Sequence, residues 1–196
     1  MQFDLFSAPL QRAALSLRAH LEPGYAARTR DNAQGADLTV ALAEDFTTAG
    51  EKLTHRMAGD RYVGVGLRAH CELAAEQIVR AMLAHNAFSL NIAGNGIYTL
   101  SKFGWTQTGV NQKVFEVLRR VSAQRPLSFV RSGGQTGVDT AGLVAGLALG
   151  IPVIGLYPQG FRRRFANGQD RLSTPEELEL ELRQFCEQLD KTALCL

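Results

Sequence analysis

The run Ser132-Gly133-Gly134-Gln135-Thr136-Gly137-Val138-Asp139 holds three glycines within five residues, between the apolar stretch Leu127 to Val130 and a helical pattern from Thr140 to Leu149. Glycine removes the side chain that keeps an anion from the backbone, and it permits the positive φ angles that an anion-binding loop needs. A helix starting just beyond points unpaired N–H groups and the positive end of its dipole at the loop. The chemistry that fits is oxyanion binding, above all the phosphate of a nucleotide. The competing reading is a tight strand-to-helix connection that needs glycine for geometry alone. Asp139 stays open between a helix cap, a contact to a ribose hydroxyl and a general base. Its carboxylate repels phosphate, so a sugar or base is its more physical neighbour. On this reading a valine at Gly134 blocks the anion and leaves the fold intact.

Two further loops could share the site. The first runs from Gly94 and brings Asn95, Gly96, Tyr98, Thr99, Ser101, Lys102, Trp105, Thr106 and Gln107, a mix of amides, aromatics and hydroxyls that suits a base or sugar. Tyr98 and Trp105 either stack on a base or anchor their loop on the core. The other spans Pro158 to Asp170, with Gln159, Gly160, Arg162, Arg163 and Arg164; arginines beside a glycine turn suit phosphate, and one of the three is expected to face the ligand. Gly94-x-Gly96 lacks the third glycine of the dinucleotide fingerprint, and no lysine follows the glycine turn as in a P-loop. His20, His55, His70 and His85 are scattered, so no metal or catalytic role is expected of them.

The elements that must position these loops are clearest from Phe88 onward. Phe88 to Ala93 predicts a strand and Val110 to Val121 an amphipathic helix; Leu127 to Val130, the glycine turn and the helix to Leu149 repeat the unit. Gly150-Ile151-Pro152 ends that helix, Pro152 to Tyr157 predicts another strand, and Thr174-Pro175-Glu176-Glu177 is a capping box opening a helix to Leu189. Apolar strands alternating with helices indicate a parallel sheet covered on both faces, where ligands bind outside the carboxyl ends of the strands. Upstream, a helix is expected from Pro9 to Leu21, a polar loop from Arg28 to Gly35, and a strand from Leu38 to Leu42. Asp45 to Gly50 reads as a connector, Glu51 to Met57 as a short helix, Tyr62 to Leu67 as a strand or an extended segment and Cys71 to His85 as a helix.

A chain of 196 residues with 45% hydrophobic content can bury a sizeable core. A formal charge of +2, from 21 Lys and Arg against 19 Asp and Glu, argues for neither a membrane nor a nucleic-acid partner. Three cysteines show neither metal-site pairing nor the even count of a disulfide framework. With no apolar run of about 20 residues and no charged leader at Met1-Gln2-Phe3-Asp4, a cytoplasmic location is expected.

The glycine turn, with Gly150-Ile151-Pro152 and Tyr157-Pro158-Gln159-Gly160, resembles the nucleotide-binding core of the SLOG superfamily of Rossmann-like proteins. The motif is most similar to the putative molybdenum carrier family, and is also similar to the DNA-processing protein A and Lonely Guy families. The resemblance covers about residues 88 to 170. It implies an α/β fold, a Rossmann-like parallel sheet flanked by helices, with an N-terminal α/β elaboration over residues 1–86 and the nucleotide-binding core over 87–196. It implies further that Ser132, Gly133, Gly134, Gln135, Thr136 and Gly137 cradle a phosphate with Asp139 at the mouth. Gly94, Asn95 and Gly96 with Tyr98, and Pro158, Gln159 and Gly160 with Arg162, would complete the pocket. The ligand implied is a nucleotide or nucleotide-derived small molecule, held by a sensor or carrier that superfamily habit makes a homodimer; no other cofactor and no metal are expected. Hydrolysis of a nucleotide N-glycosidic bond is the alternative, with Asp139 or Glu44 as the acid, although the glutamate that the phosphoribohydrolases carry after their glycine turn has no counterpart before Glu176. Single-stranded DNA binding is a third reading, disfavoured because backbone binding needs a basic track.

Overall fold

The computed structural model describes residues 13–190. Its centre is a six-stranded sheet in the order β1-β6-β5-β4-β2-β3, with every pairing parallel. The strands are β1 (Leu15–Ala19), β2 (Leu38–Ala43), β3 (Tyr62–Gly66), β4 (Ser89–Gly94), β5 (Phe129–Ser132) and β6 (Val153–Tyr157). The helices are α1 (Ala26–Gln34), α2 (Ala49–Ala58), α3 (Cys71–Ala84), the single turn α4 (Ile97–Leu100), α5 (Gln107–Gln124), α6 (Val138–Ala148) and α7 (Pro175–Gln188). A parallel neighbour can be reached only by a crossover, and the helices supply it. This is the Rossmann-like α/β arrangement expected from the alternation of apolar strands and helices.

Successive side chains of a strand point to opposite faces, and β5 shows which helices cover which face. Arg131 reaches α1, donating to Asn32 Oδ1 at 3.1 Å and to the Gly35 carbonyl at 3.0 Å. Its neighbour Val130 lies on the other face, beneath Gly146 of α6. There α6 packs against α5 and α7, and α5 against α3, while α1 and α2 pack together on the Arg131 face. Covered on both faces, β2 is buried along its whole length. Helix α6 lies so close to the sheet that a Cβ on Gly142 would meet Ile92 at 2.6 Å and one on Gly146 would meet Val153 at 2.7 Å.

The sheet reverses its winding between β2 and β4. From β2 the chain moves outward to the edge strand β3, whereas from β4 it moves the other way through β5 and β6. Loops on either side of such a switch point diverge and leave a crevice at the carboxyl ends of the strands.

Several expectations for the N-terminal region are corrected. The helix expected from Pro9 begins outside the described residues, and where it enters them the chain forms β1, pairing Leu15 with Val153 and Ala19 with Tyr157. Leu17 fits a helical spacing with Ala14 and Leu21 and equally a strand alternation with Leu15, and the partner strand decides between them. The polar loop from Arg28 to Gly35 is instead the helix α1. Its inward face carries Arg28 and Asn32, so hydrophobic periodicity gives no signal there. β1, β2 and β3 share one sheet with β4, β5 and β6. Cys71 at the start of α3 is disulfide-bonded, against the reading of the cysteine count, because an odd number still leaves room for one bridge. The loop after β6 contains an unforeseen hairpin of β7 (Arg163–Arg164) and β8 (Asp170–Arg171).

Gly142→Leu should test the helix-to-sheet contact. Overpacking there is expected to cost about 1–3 kcal/mol, seen as a lower urea midpoint with an unchanged m-value.

Candidate functional site

A cleft of about 560 Å³ opens at the switch point, walled by the first turn of α2, the loop after β4, the glycine turn and the face of α1 that carries Arg28 and Asn32. That volume is in the range of small-molecule sites. Asn95 holds its two central loops together. Its Oδ1 accepts from the backbone N–H groups of Glu44 and Asp45, both at 2.9 Å, and its Nδ2 donates to the Asp45 carbonyl at 2.9 Å. The backbone of the same loop meets the glycine turn, with Ile97 N donating to the Thr136 carbonyl and Val138 N to that of Asn95.

The glycine turn is filled largely by the protein's own groups. Arg28 Nη1 donates to Asp139 Oδ2 at 3.0 Å, a buried ion pair, and Gln135 N donates to the same oxygen at 3.3 Å. A Cβ on Gly133 would fall 1.3 Å from Arg28 Nη1, and one on Gly134 would fall 2.2 Å from the Tyr157 ring. Gln107 clamps Gly137, accepting from its N–H at 2.6 Å and donating to its carbonyl at 2.9 Å. Thr136 Oγ1 donates to the Arg164 carbonyl. Ser132 is buried below the turn, its hydroxyl donating to the Ile92 carbonyl at 2.6 Å. Of this run Gly133, Gln135 and Asp139 line the cleft, as Gly94, Asn95, Gly96 and Tyr98 do from the loop after β4. The remaining glycines serve close packing. Gly134, at φ +69°, has no room for a valine, so that substitution disrupts the turn rather than testing anion binding.

Pro158, Gln159, Gly160 and Arg162 are not among the residues lining the cleft. Arg164 is, through the β7–β8 hairpin, with its N–H donating to Gln135 Oε1 at 2.9 Å and its guanidinium paired with Asp170 at 2.7 Å. Arg163 turns inward to a bidentate pair with Glu181 at 2.8 and 2.6 Å. The cluster of three arginines thus delivers one to the cleft, at position 164. Glu44 is also drawn away, accepting from Trp105 Nε1 at 2.8 Å and pairing with Arg68 at 3.2 Å, so Trp105 anchors its loop.

The most unusual group in the cleft is Glu51, in the first turn of α2 and only 3% exposed. Its backbone N–H is capped by Thr48 Oγ1 at 3.2 Å. Its carboxyl has one long contact, Asn95 Nδ2 to Oε1 at 3.5 Å, and Oε2 has no partner among the described residues. Burial, and after it the negative charges of Asp139 and Asp45, push its pKa up to about 8, so it is a neutral acid at physiological pH. Burial raises Asp139 too, against the opposing pull of Arg28 and the Gln135 N–H. The cleft therefore offers a proton donor at Glu51 close to a carboxylate held by arginine, and no group of three or more metal-ligating side chains is found among the described residues.

The fold and this cleft define a Rossmann-like protein with a small-molecule-sized site at its switch point. Residues 130–171, from β5 to the hairpin, match the model of a family described as the circularly permutated YpsA SLOG family. That match supports the SLOG superfamily. No curated protein and no solved structure matches the chain. No helix among the described residues is long and apolar enough to cross a membrane.

Glu51, Arg28, Tyr25 and Asn91 line the cleft and were not foreseen. Thr48-x-x-Glu51 is a capping-box spacing that could have drawn attention to Glu51. Nothing local signals Arg28, whose partner is 111 residues away.

Two outcomes check this geometry. A folded state that keeps Glu51 protonated to about pH 8, while the unfolded chain ionises near 4.5, binds more protons than the unfolded state, so its stability falls as pH rises through that window. Glu51→Gln should therefore raise the melting temperature at pH 8 and change it little near pH 4.5, with a gain of about 1.4 kcal/mol for every tenfold by which the fold weakens the acid. Arg28→Met should cost about 3–5 kcal/mol by leaving Asp139 buried without its counter-charge, and adding Asp139→Asn should recover part of that in chemical denaturation.

Proposed function

We propose that the protein binds a nucleotide or nucleotide-derived small molecule in the switch-point cleft, as a sensor or carrier. The observation that carries this reading is the cleft itself, which gathers buried polar atoms without internal partners beside the SLOG-like turn. Buried polar groups are normally satisfied, and unpaired ones facing a cleft are explained by a ligand that completes them. The amides and Tyr98 suit a base or sugar, and Arg164 with the N-terminal turn of α2 suits an anionic group. The finer similarity to the putative molybdenum carrier family rests on the sequence motifs alone.

A specific observation favours hydrolysis of a nucleotide N-glycosidic bond as a second reading. Glu51 holds a proton at neutral pH in the same cleft as Asp139, and a departing base needs a proton. In this reading Glu51 takes the acid role that the sequence left to Asp139 or Glu44, and water supplies the hydroxyl added to the sugar carbon.

Thermal-shift screening against nucleoside phosphates, NAD, ADP-ribose and cyclic nucleotides should reveal a ligand, since one present at about 100 times its Kd adds about 2.7 kcal/mol. An unchanged melting temperature across the whole panel overturns the binding reading. Chromatography of the incubated ligand separates the two functions: intact ligand marks a sensor or carrier, and released base marks a hydrolase.

A further inference from the structure

The polar groups of the cleft are not evenly mixed. Asn91 on β4 and Glu51 on α2 are 2% and 3% exposed, and form the floor. Arg164 and Tyr98, at the mouth, are exposed. On the floor Asn91 Nδ2 donates to Thr39 Oγ1 at 3.2 Å, while its Oδ1 has no partner among the described residues. Glu51 Oε2 is likewise unpartnered. Leaving such atoms unpaired costs their desolvation without return, so the floor is built at the expense of stability.

The chemistry of these atoms selects what can complete them. An amide oxygen only accepts, so it requires a donor. A carboxylic acid offers one O–H and accepts at its other oxygen. Phosphate brings acceptors and negative charge; it leaves Asn91 Oδ1 unsatisfied and is repelled by Asp139, which lines the same cleft. A hydroxyl or a ring N–H satisfies Asn91, and a hydroxyl can also receive the Glu51 proton. Donors suited to an anion lie in the opening turn of α2 at Ala49 and Gly50 and in the guanidinium of Arg164, while the buried guanidinium of Arg28, whose Nε has no partner among the described residues, already has its charge paired with Asp139.

We propose that Glu51 and Asn91 form a subsite for an uncharged O–H or N–H group of the ligand, in the first instance the hydroxyls of a sugar, while the ligand's anionic group sits at the mouth with Arg164 and the start of α2. The inference rests on the nucleotide reading and fixes the direction in which a nucleotide enters: sugar inward, phosphate outward. It also assigns Glu51 a recognition role that holds whether or not any bond is broken.

Calorimetric titration with the four ribonucleoside 5′-monophosphates, their 2′-deoxy forms, ribose 5-phosphate and inorganic phosphate tests it. The best-bound ribonucleotide should lose about tenfold or more in affinity when the 2′-hydroxyl is removed or when Asn91 or Glu51 becomes alanine. Deoxygenation and Asn91→Ala should then not add, because they remove the same contact. Glu51→Gln, whose amide still offers N–H donors and a carbonyl acceptor, should bind within a few-fold of wild type. Ribose 5-phosphate binding that depends on Asn91 identifies the sugar as the source of the donor. Full affinity for the deoxynucleotide, with Asn91→Ala still weakening it and ribose 5-phosphate inert, identifies a base N–H, which keeps the donor subsite and overturns the sugar-inward direction. Nucleotide binding that ignores Asn91→Ala, Glu51→Ala and the missing hydroxyl overturns this subsite and leaves the nucleotide reading standing. Inorganic phosphate binding that Asn91→Ala weakens puts the anion on the floor and overturns it as well. No binding of any probe, with the wider nucleotide panel also silent, removes both. Circular dichroism confirms that each variant is folded, and should Glu51→Ala fail to fold, Asn91→Ala and Glu51→Gln carry the test.

Discussion

The buried pair of Arg28 with Asp139 is the constraint on which the rest of the site depends. It joins α1 to the first turn of α6 over a separation of 111 residues, and places a guanidinium against the backbone of Gly133. Two charges taken out of water need good geometry and further hydrogen bonds to offset their desolvation, and the Gln135 N–H supplies one of these. The pair shapes the turn from within: it makes glycine obligatory at 133 and fixes the wall of the cleft that Asp139 lines. Asp139, through its negative charge, also helps to keep Glu51 protonated.

Around that pair the site is held by amides. Asn95 ties the loops after β2 and β4 together, and Gln107 clamps the glycine turn from the start of α5. These side chains spend most of their hydrogen-bonding capacity on the protein. Two of the groups left over, Glu51 and Asn91, come from a helix and a strand rather than a loop, and rigid elements hold a recognition group more exactly in place. The hairpin of β7 and β8 closes the remaining side by bonding to Gln135 and Thr136.

β1, the first strand of the described residues, pairs in parallel with β6, the last strand of the sheet in sequence. The glycine turn follows the fifth strand and yet opens at the switch point, because position in the sheet and position in the chain are independent.

Sequence by itself determined the parallel α/β layout from β2 onward, since buried strands and amphipathic helices differ in the period of their apolar residues. It determined the capping box of α7, which is local, and it singled out the glycine turn, because three close glycines are rare without a backbone reason. Tertiary structure alone decided what those glycines are for. Gly133 gives way to Arg28 and Gly134 to Tyr157, contacts with residues that no spacing within the turn reveals. Tertiary structure also decided that α1 is a helix, for its inward side chains seek polar partners across the sheet. The leading polar groups of the cleft, Glu51 and Asn91, come from separate elements, and only the pairing of β2 with β4 brings them together. A burial that raises a carboxyl's pKa depends on everything packed around it, which is why Glu51 reads in the sequence as an ordinary first-turn acid and in the fold as a proton donor.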